Sequence, residues 1–189
     1  MVLGGLYYLV AEFITAIFFK DSLANTYIFH TISELGIPNM NSPLAFLMNS
    51  AFIIIGLALL FGYFVRFKDF IIKNKIIISI LSLVTAIGVI IVALIHGGNP
   101  LTASYHSLGA VMAILGGNVM LVFVSRSMED FGRYQKISLA LGIVGIIIFW
   151  IMFFNLESVY MPVFERLSVY TLIIWNLLSG YYLTVNGRI

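Results

Sequence analysis

Residues 76–95 read IIISILSLVTAIGVIIVALI, twenty residues without a charged side chain. The hydrocarbon core of a bilayer is about 30 Å thick, and a helix of about 20 apolar residues crosses it. Because lipid offers the backbone no hydrogen-bond partners, such a segment can span a membrane only as a helix. The stretch therefore predicts a transmembrane helix.

Five further segments have the same character, and only Glu12 places a charge inside one of them. Each is about long enough to cross a bilayer as a helix. They lie at residues 2–19, 44–65, 107–124, 137–156 and 167–185. We therefore predict an all-α membrane protein, a six-transmembrane-helix bundle that forms a single transmembrane domain over residues 1–189.

The composition favours the same class. Hydrophobic residues make up 61% of the chain and charged residues 10%, and the mean hydropathy is +1.08. About a quarter of an average soluble domain is charged, so membrane lipids are the expected surroundings. The net charge of +2 does not indicate a nucleic-acid partner, and the absence of cysteine excludes disulfides and thiolate chemistry.

The distribution of lysine and arginine predicts an orientation. Positive residues favour the cytoplasmic side, and eight of the ten follow the second or fourth predicted helix or lie at the C-terminus. We therefore expect a multi-pass protein of the cell membrane with both termini cytoplasmic. The eight are Arg66, Lys68, Lys73, Lys75, Arg126, Arg133, Lys136 and Arg188, which leaves Lys20 and Arg166 on the predicted outer side.

Polar residues gather on that predicted outer side, which carries all three histidines. Ionisable groups are costly in a membrane bundle and often functional there, although a histidine at a helix end is also commonly interfacial. Arginine suits bidentate contact with phosphate or carboxylate, so Arg166 either holds a ligand or forms an internal salt bridge. The predicted ligand-binding set is His30, Ser33, Glu34, Asn49, His106 and Arg166.

The same cluster offers catalytic and metal-binding candidates. Acid-base chemistry could use His106, Glu34 or Glu165. His96 and His106 lie ten residues apart across a predicted turn, and with His30 or Glu34 they could hold a divalent metal such as zinc. A catalytic zinc needs three such ligands and an open position for water.

Glu12 lies about ten residues into the first predicted helix, which places it near the middle of the bilayer. A charged side chain there is costly unless it is paired. One interpretation is a neutral carboxyl hydrogen-bonded to Asn118 or Asn176, which also lie deep in predicted helices. The alternative is a proton-carrying site.

Four stretches of the chain resemble the domain-of-unknown-function 998 family of six-helix prokaryotic membrane proteins. They are TISELG at 31–36, Asn49 with Gly56, YHSLGA at 105–110, and ERLSVYTLIIW at 165–175. The resemblance spans nearly the whole chain. It marks as motif positions Ser33, Glu34, Asn49, His106, Glu165 and Arg166.

The chain departs from that pattern at one position, since the family more often has aspartate where this chain has the longer Glu34. A fainter similarity links the chain to the Frag/DRAM/Sfk group of eukaryotic six-helix proteins. Some of those are linked to lipid handling, including remodelling of glycosylphosphatidylinositol anchors. This resemblance implies a connection to lipids.

The leading functional hypothesis is an outward-facing polar pocket that binds a lipid head group or small amphiphile. One alternative is a metal-dependent or His/Glu-based membrane hydrolase acting on a lipid-like substrate. Another is a proton-coupled transporter that uses Glu12, although no inverted repeat accompanies it. A purely structural role for the polar groups is the fourth, and the sequence leaves open both catalysis and oligomeric state.

Overall fold

The computed structural model describes residues 1–38, 41–129 and 132–186, so Arg188, which entered the charge count, lies outside it. Within these residues the protein is all-α, with seven α-helices and two short 3-10 turns. The helices are α1 Val2–Ile17, α2 Leu23–Phe29, α3 Ala45–Val65, α4 Lys75–Leu94, α5 Ala103–Ser125, α6 Arg133–Phe153 and α7 Met161–Asn186. The 3-10 turns are Glu34–Gly36 and Phe67–Phe70.

Four of these helices, α3 to α6, are long and apolar enough to cross a membrane. Helix α1 is apolar but has only 16 residues, and α7 has 26 residues of more mixed polarity. Large apolar side chains are exposed along the outside of the bundle, Leu3 at 81% and Ile76 at 76% among them. Exposed apolar surface on this scale indicates a membrane environment.

Helices α5 and α7 begin earlier than the hydropathy predicts. Helix α5 begins at Ala103, so His106 lies within it, and α7 begins at Met161, so Arg166 lies more than one turn inside. Pro162 accounts for the second difference, because the missing N–H of proline is harmless in the first helical turn. Both shifts move functional candidates into the bundle, where His106 is 8% and Arg166 is 4% exposed.

Helix α2 lies in the segment predicted to be an irregular loop. Its start is capped by Ser22, whose hydroxyl accepts a hydrogen bond from the backbone N–H of Asn25 at 3.2 Å. Serine is among the preferred residues at this position, because its oxygen satisfies an otherwise unbonded amide. The helix ends at Phe29, just before His30.

Five helices form a ring in the order α1, α3, α4, α5 and α7, which closes because α7 packs against α1. Helix α6 packs on the outside against α5 and α7. The segments after α1, α4 and α6 meet at one end, which we call the histidine end. The segments after α3 and α5 meet at the other, which we call the basic end.

Small residues let α4 and α5 approach closely. The spacing of Gly109, Ala113 and Gly116 by three or four residues along α5 is typical of such close packing. A Cβ built on Gly88 of α4 would lie 2.6 Å from the backbone oxygen of Gly109 and 2.6 Å from the backbone nitrogen of Ala113. The backbones of the two helices are therefore in direct contact. This contact fixes α4, which ends just before His96, against α5, which contains His106.

Candidate functional site

Arg166 is the buried hub of the histidine end. Its Nε donates to Oε1 of Glu12 in α1 at 3.2 Å, and its Nη1 donates to the backbone carbonyls of Tyr27 and His30. The guanidinium carbon also lies 5.0 Å from the centroid of the Tyr27 ring. The planar guanidinium can serve several acceptors at once, so Arg166 links α7 to α1 and to the end of α2.

The interpretation of Glu12 as a partner of Asn118 or Asn176 is wrong. Glu12 Oε1 instead accepts hydrogen bonds from Arg166 and from the Tyr170 hydroxyl, the latter at 3.0 Å. Asn118 bonds within α5 and to α7, and Asn176 donates to a carbonyl of its own helix. A cation compensates a buried carboxylate better than an amide does. Of the two alternatives for Arg166, the structure shows the internal salt bridge.

Glu165 holds the TISELG segment. Its Oε2 accepts a hydrogen bond from the backbone N–H of Ile32 at 2.8 Å. Two consecutive residues of α7, Glu165 and Arg166, therefore bind the backbone between α2 and the first 3-10 turn. The Glu165–Arg166 pair that opens the ERLSVYTLIIW stretch thus binds the backbone at the TISELG stretch, which lies more than 130 residues earlier in the chain.

Asn49 joins the same loop to α4. Its Nδ2 donates to the carbonyl of Gly36 at 2.7 Å and to Nε2 of His96 at 3.2 Å. Its Oδ1 is buried without a hydrogen-bond partner among the described residues, and it lies against the Gly36 backbone where a Cβ would collide with it. The final glycine of TISELG is therefore required by the packing of Asn49.

His30 lies between two carboxylates. Its Nδ1 is 2.8 Å from Oε2 of Glu34, and its Nε2 is 3.2 Å from Oδ2 of Asp21. The ring also packs on Phe19, with centroids 4.8 Å apart. Each ring nitrogen therefore faces a carboxylate oxygen, which can accept a hydrogen bond. This half-buried group links the end of α1 to the TISELG turn.

The hydrogen bonds of Asp21 predict an acid-sensitive start of α2. The Asn25 side chain, at 3.1 Å, and the Ser22 backbone N–H, at 2.7 Å, hold the pKa of Asp21 below its usual value. A lowered carboxyl pKa contributes stability above the unfolded value, about 3.9, that is lost as pH falls through the folded value. We expect the amide protection factors of α2, which compare observed with intrinsic exchange at each pH, to fall on acidification, and to fall less in Asp21→Asn.

The matched control is Asp69→Asn, which removes an exposed carboxylate at the basic end. It should leave the pH dependence of α2 exchange unchanged. Equal acid sensitivity in wild-type protein and Asp21→Asn would contradict the role of Asp21.

His106 closes the turn between α4 and α5. Its Nδ1 donates to the carbonyl of Ile95 at 2.6 Å, and Gly97 lies against its ring. With the proton on Nδ1, the neutral ring presents Nε2 as an acceptor. The carbonyl at the end of α4 therefore sets the tautomer of His106.

The three histidines have different hydrogen-bond partners. His30 lies with Asp21 and Glu34, His96 with Asn49, and His106 with the end of α4. His96 and His106 lie near each other, because His106 bonds the carbonyl of the residue before His96. Among the residues that the structure describes, no group of three or more His, Asp or Glu side chains is arranged to hold a metal ion.

An open groove of about 710 Å³ lies between α3 and α4 at the histidine end. Polar groups of Lys20, Asn49, Ser50 and His96 lie along it. Its remaining walls are mainly apolar and are formed by Pro38, Pro43, Ala45, Phe46, Ile53, Ala93 and Leu94. A cationic side chain beside an apolar trough suits an amphiphile.

Sequence reasoning missed two parts of this arrangement. Lys20 was counted only for topology, and Ser50 was not singled out, yet both line the groove. Of the six predicted ligand-binding residues, all within the described part of the chain, only Asn49 lines it. One sequence feature could have indicated the groove: Lys20 directly follows an apolar helix and precedes a loop that contains prolines.

These observations define an all-α protein whose four long apolar helices indicate a membrane-embedded class, with a polar end organised around a buried Arg–Glu pair. The chain belongs to the family described as Protein of unknown function (DUF998), which matches residues 2–181. This membership confirms the resemblance to that family. The similarity to the Frag/DRAM/Sfk group stays a prediction.

No curated protein and no solved structure is significantly similar to the chain.

Proposed function

We propose that the chain crosses the membrane six times, with both termini cytoplasmic and the histidine end outward. Helices α1 and α7 complete the ring formed with the four long apolar helices, and seven of the eight inner positive charges fall in the described part of the basic end. Exposed aromatic side chains, typical of a membrane interface, lie at the histidine end of α6 and just after it: Trp150, Phe153, Phe154 and Tyr160.

The function that the geometry supports best is binding of a lipid head group or small amphiphile in the groove between α3 and α4. The observation that carries this proposal is the lining of the groove, which combines Lys20 and His96 with apolar walls. Both Lys20 and Phe46 are exposed. A phosphate group would lie near Lys20, and an acyl chain would lie along Phe46 and Leu94.

In this proposal, Arg166 positions the loop and does not touch the ligand. Its Nε and Nη1 donate to Glu12 and to two backbone carbonyls, whereas Nη2 is buried without a hydrogen-bond partner among the described residues. Arg166 does not line the groove. The loop that it holds carries Gly36, which in turn bonds Asn49 at the floor of the groove. Arg166 therefore supports the groove from behind, through the TISELG turn.

Lys20→Gln should weaken retention of anionic lipid about fivefold, because one lysine near a membrane surface contributes about 1 kcal/mol to anionic lipid binding. Native mass spectrometry of protein released from nanodiscs containing phosphatidylglycerol and phosphatidylcholine measures this retention directly. Selective loss of phosphatidylglycerol is the expected result.

Lys73→Gln is the matched control, since Lys73 is an exposed lysine at the basic end. Ile53→Trp, which places a bulky ring in the groove, should reduce retention of both lipids. Wild-type retention in Lys20→Gln and in Ile53→Trp would refute the proposed site.

A further inference from the structure

A second cavity, of about 70 Å³, lies inside the ring of α1, α3, α4, α5 and α7. Ser33 and Glu165, both half-buried, line it at the histidine end. Met120 and Trp175 line it toward the basic end. It shares no lining residue with the groove between α3 and α4, so it is a separate site.

Three buried polar side chains line this cavity, and each has one polar atom without a hydrogen-bond partner among the residues that the structure describes. They are the Tyr8 hydroxyl, the Thr85 hydroxyl and the Asn176 carbonyl oxygen, on residues that are 1%, 3% and 4% exposed. Each comes from a different helix: α1, α4 and α7. At about 1.5 Å of rise per residue, they lie roughly 9–15 Å from the basic ends of those helices, near the middle of the bundle.

The chemistry of these three atoms defines what the cavity accepts. A buried polar atom without a partner loses its solvation without compensation, so an alkyl chain would be a poor occupant. Among the described lining residues there is no lysine or arginine, and Glu165 stands at one end, which disfavours an anion. Water needs about 10–15 Å³ and two to four polar partners. The cavity is large enough for water, and the three unpartnered atoms offer it hydrogen bonds within a lining that is otherwise mainly apolar.

The two ends of the cavity differ. Toward the basic end it meets a closely packed aromatic layer of Tyr63, Phe67 and Trp175, each no more than 1% exposed. The Phe67 and Trp175 rings lie 5.7 Å apart at 74°, and the Trp175 indole N–H donates to Ser138. At the histidine end the lining includes Ser33 and Glu165, which are partly exposed, and we place the entrance there.

We propose that this cavity is a hydrated half-channel. It admits water and small uncharged polar solutes from the histidine end to the middle of the bundle, where Tyr8, Thr85 and Asn176 hydrogen-bond them. The aromatic layer of Tyr63, Phe67 and Trp175 closes it toward the basic end. This inference does not depend on what occupies the groove.

The chain has no cysteine, so single cysteines report water access without background. Thr85→Cys and Asn176→Cys place a thiol at the cavity. Leu83→Cys and Ile174→Cys, on the same helices, place one on the exposed outer face, where Leu83 is 40% and Ile174 is 49% exposed. In vesicles treated with 2-hydroxyethyl methanethiosulfonate, an uncharged polar reagent, the cavity positions should react at least about tenfold faster, because only the thiolate reacts and it forms in water.

Adding the reagent to one side of the membrane tests the half-channel separately from the proposed orientation of the protein. Reagent is added to one side with free cysteine as scavenger on the other, and Leu23→Cys in α2 marks the histidine end. Faster reaction of the cavity positions from the side that labels Leu23→Cys supports the half-channel, even if that side proves to be cytoplasmic. Equal rates at cavity and outer-face positions, or reaction from the opposite side, overturn it.

A second measurement keeps the proposal testable if a cysteine variant does not fold. Thr85→Val and Asn176→Leu replace the unpartnered oxygen atoms with methyl groups. Asn176→Leu also removes the hydrogen bond from Nδ2 to the Leu172 carbonyl, so Thr85→Val is the cleaner comparison. A hydrated cavity loses hydrogen bonds to bound water, so the unfolding temperature should fall by several degrees. A rise in the unfolding temperature of both variants would show a dry cavity and overturn the inference.

Discussion

Arg166→Ala should destabilise the protein by about 3–5 kcal/mol, the cost of leaving a buried charge without its partner. Glu12 is 1% exposed and would lose its cation, while the carbonyls of Tyr27 and His30 would lose their donor. The free energy of unfolding in detergent, measured by chemical denaturation, tests this. The loop between α1 and α3 should also become more sensitive to proteases.

The same effect predicts partial rescue. In Glu12→Leu with Arg166→Met, no buried charge remains, so the double variant should be more stable than Arg166→Ala. Arg133→Ala, which removes an exposed arginine at the start of α6, should change stability by less than about 0.5 kcal/mol. If Arg166→Ala proves as mild as Arg133→Ala, the ion pair does not hold the bundle together.

Gly88→Ala should cost about 1–3 kcal/mol, the usual cost of overpacking a core. Its methyl group would lie 2.6 Å from two backbone atoms of α5, and neither atom can move without displacing that helix. The unfolding free energy should fall, and the turn that carries His96 and His106 should exchange its amides faster.

Gly116→Ala is the matched control within the same pair of helices. Its methyl group would meet Thr85 and Val84 at 3.5 Å, an ordinary contact. Because alanine favours a helix over glycine by up to about 1 kcal/mol, this variant should be neutral or more stable. Equal losses in Gly88→Ala and Gly116→Ala would show that backbone contact does not limit the approach of α4 and α5.

The helical class could be predicted from the sequence because lipid leaves a charge-free segment few alternatives to a helix. The existence of α2 could also have been predicted, since Ser22 three residues before Asn25 is a recognisable helix start. The earlier starts of α5 and α7 were missed because hydropathy detects apolar residues, whereas a helix begins where its backbone hydrogen bonds begin. Pro162 lies in the first turn of α7, where proline is tolerated.

The pairing at the histidine end could not be predicted in the same way. Glu12 and Arg166 are 154 residues apart, and no local pattern links them, so Asn118 and Asn176 were equally reasonable partners. The groove was missed for a related reason. Its cation and its prolines lie in the long loop, and only the fold brings Lys20 beside Asn49 and His96.

The distance along the chain between Glu12 and Arg166 has a consequence for biosynthesis. Glu12 leaves the ribosome 154 residues before its partner, so α1 enters the membrane with an uncompensated carboxyl. Only the arrival of α7 supplies the guanidinium, closes the ring and immobilises the TISELG loop. A nascent chain that stops before Arg166 is therefore an open assembly whose first helix is held mainly by α3, and the last helix commits the protein to its folded state.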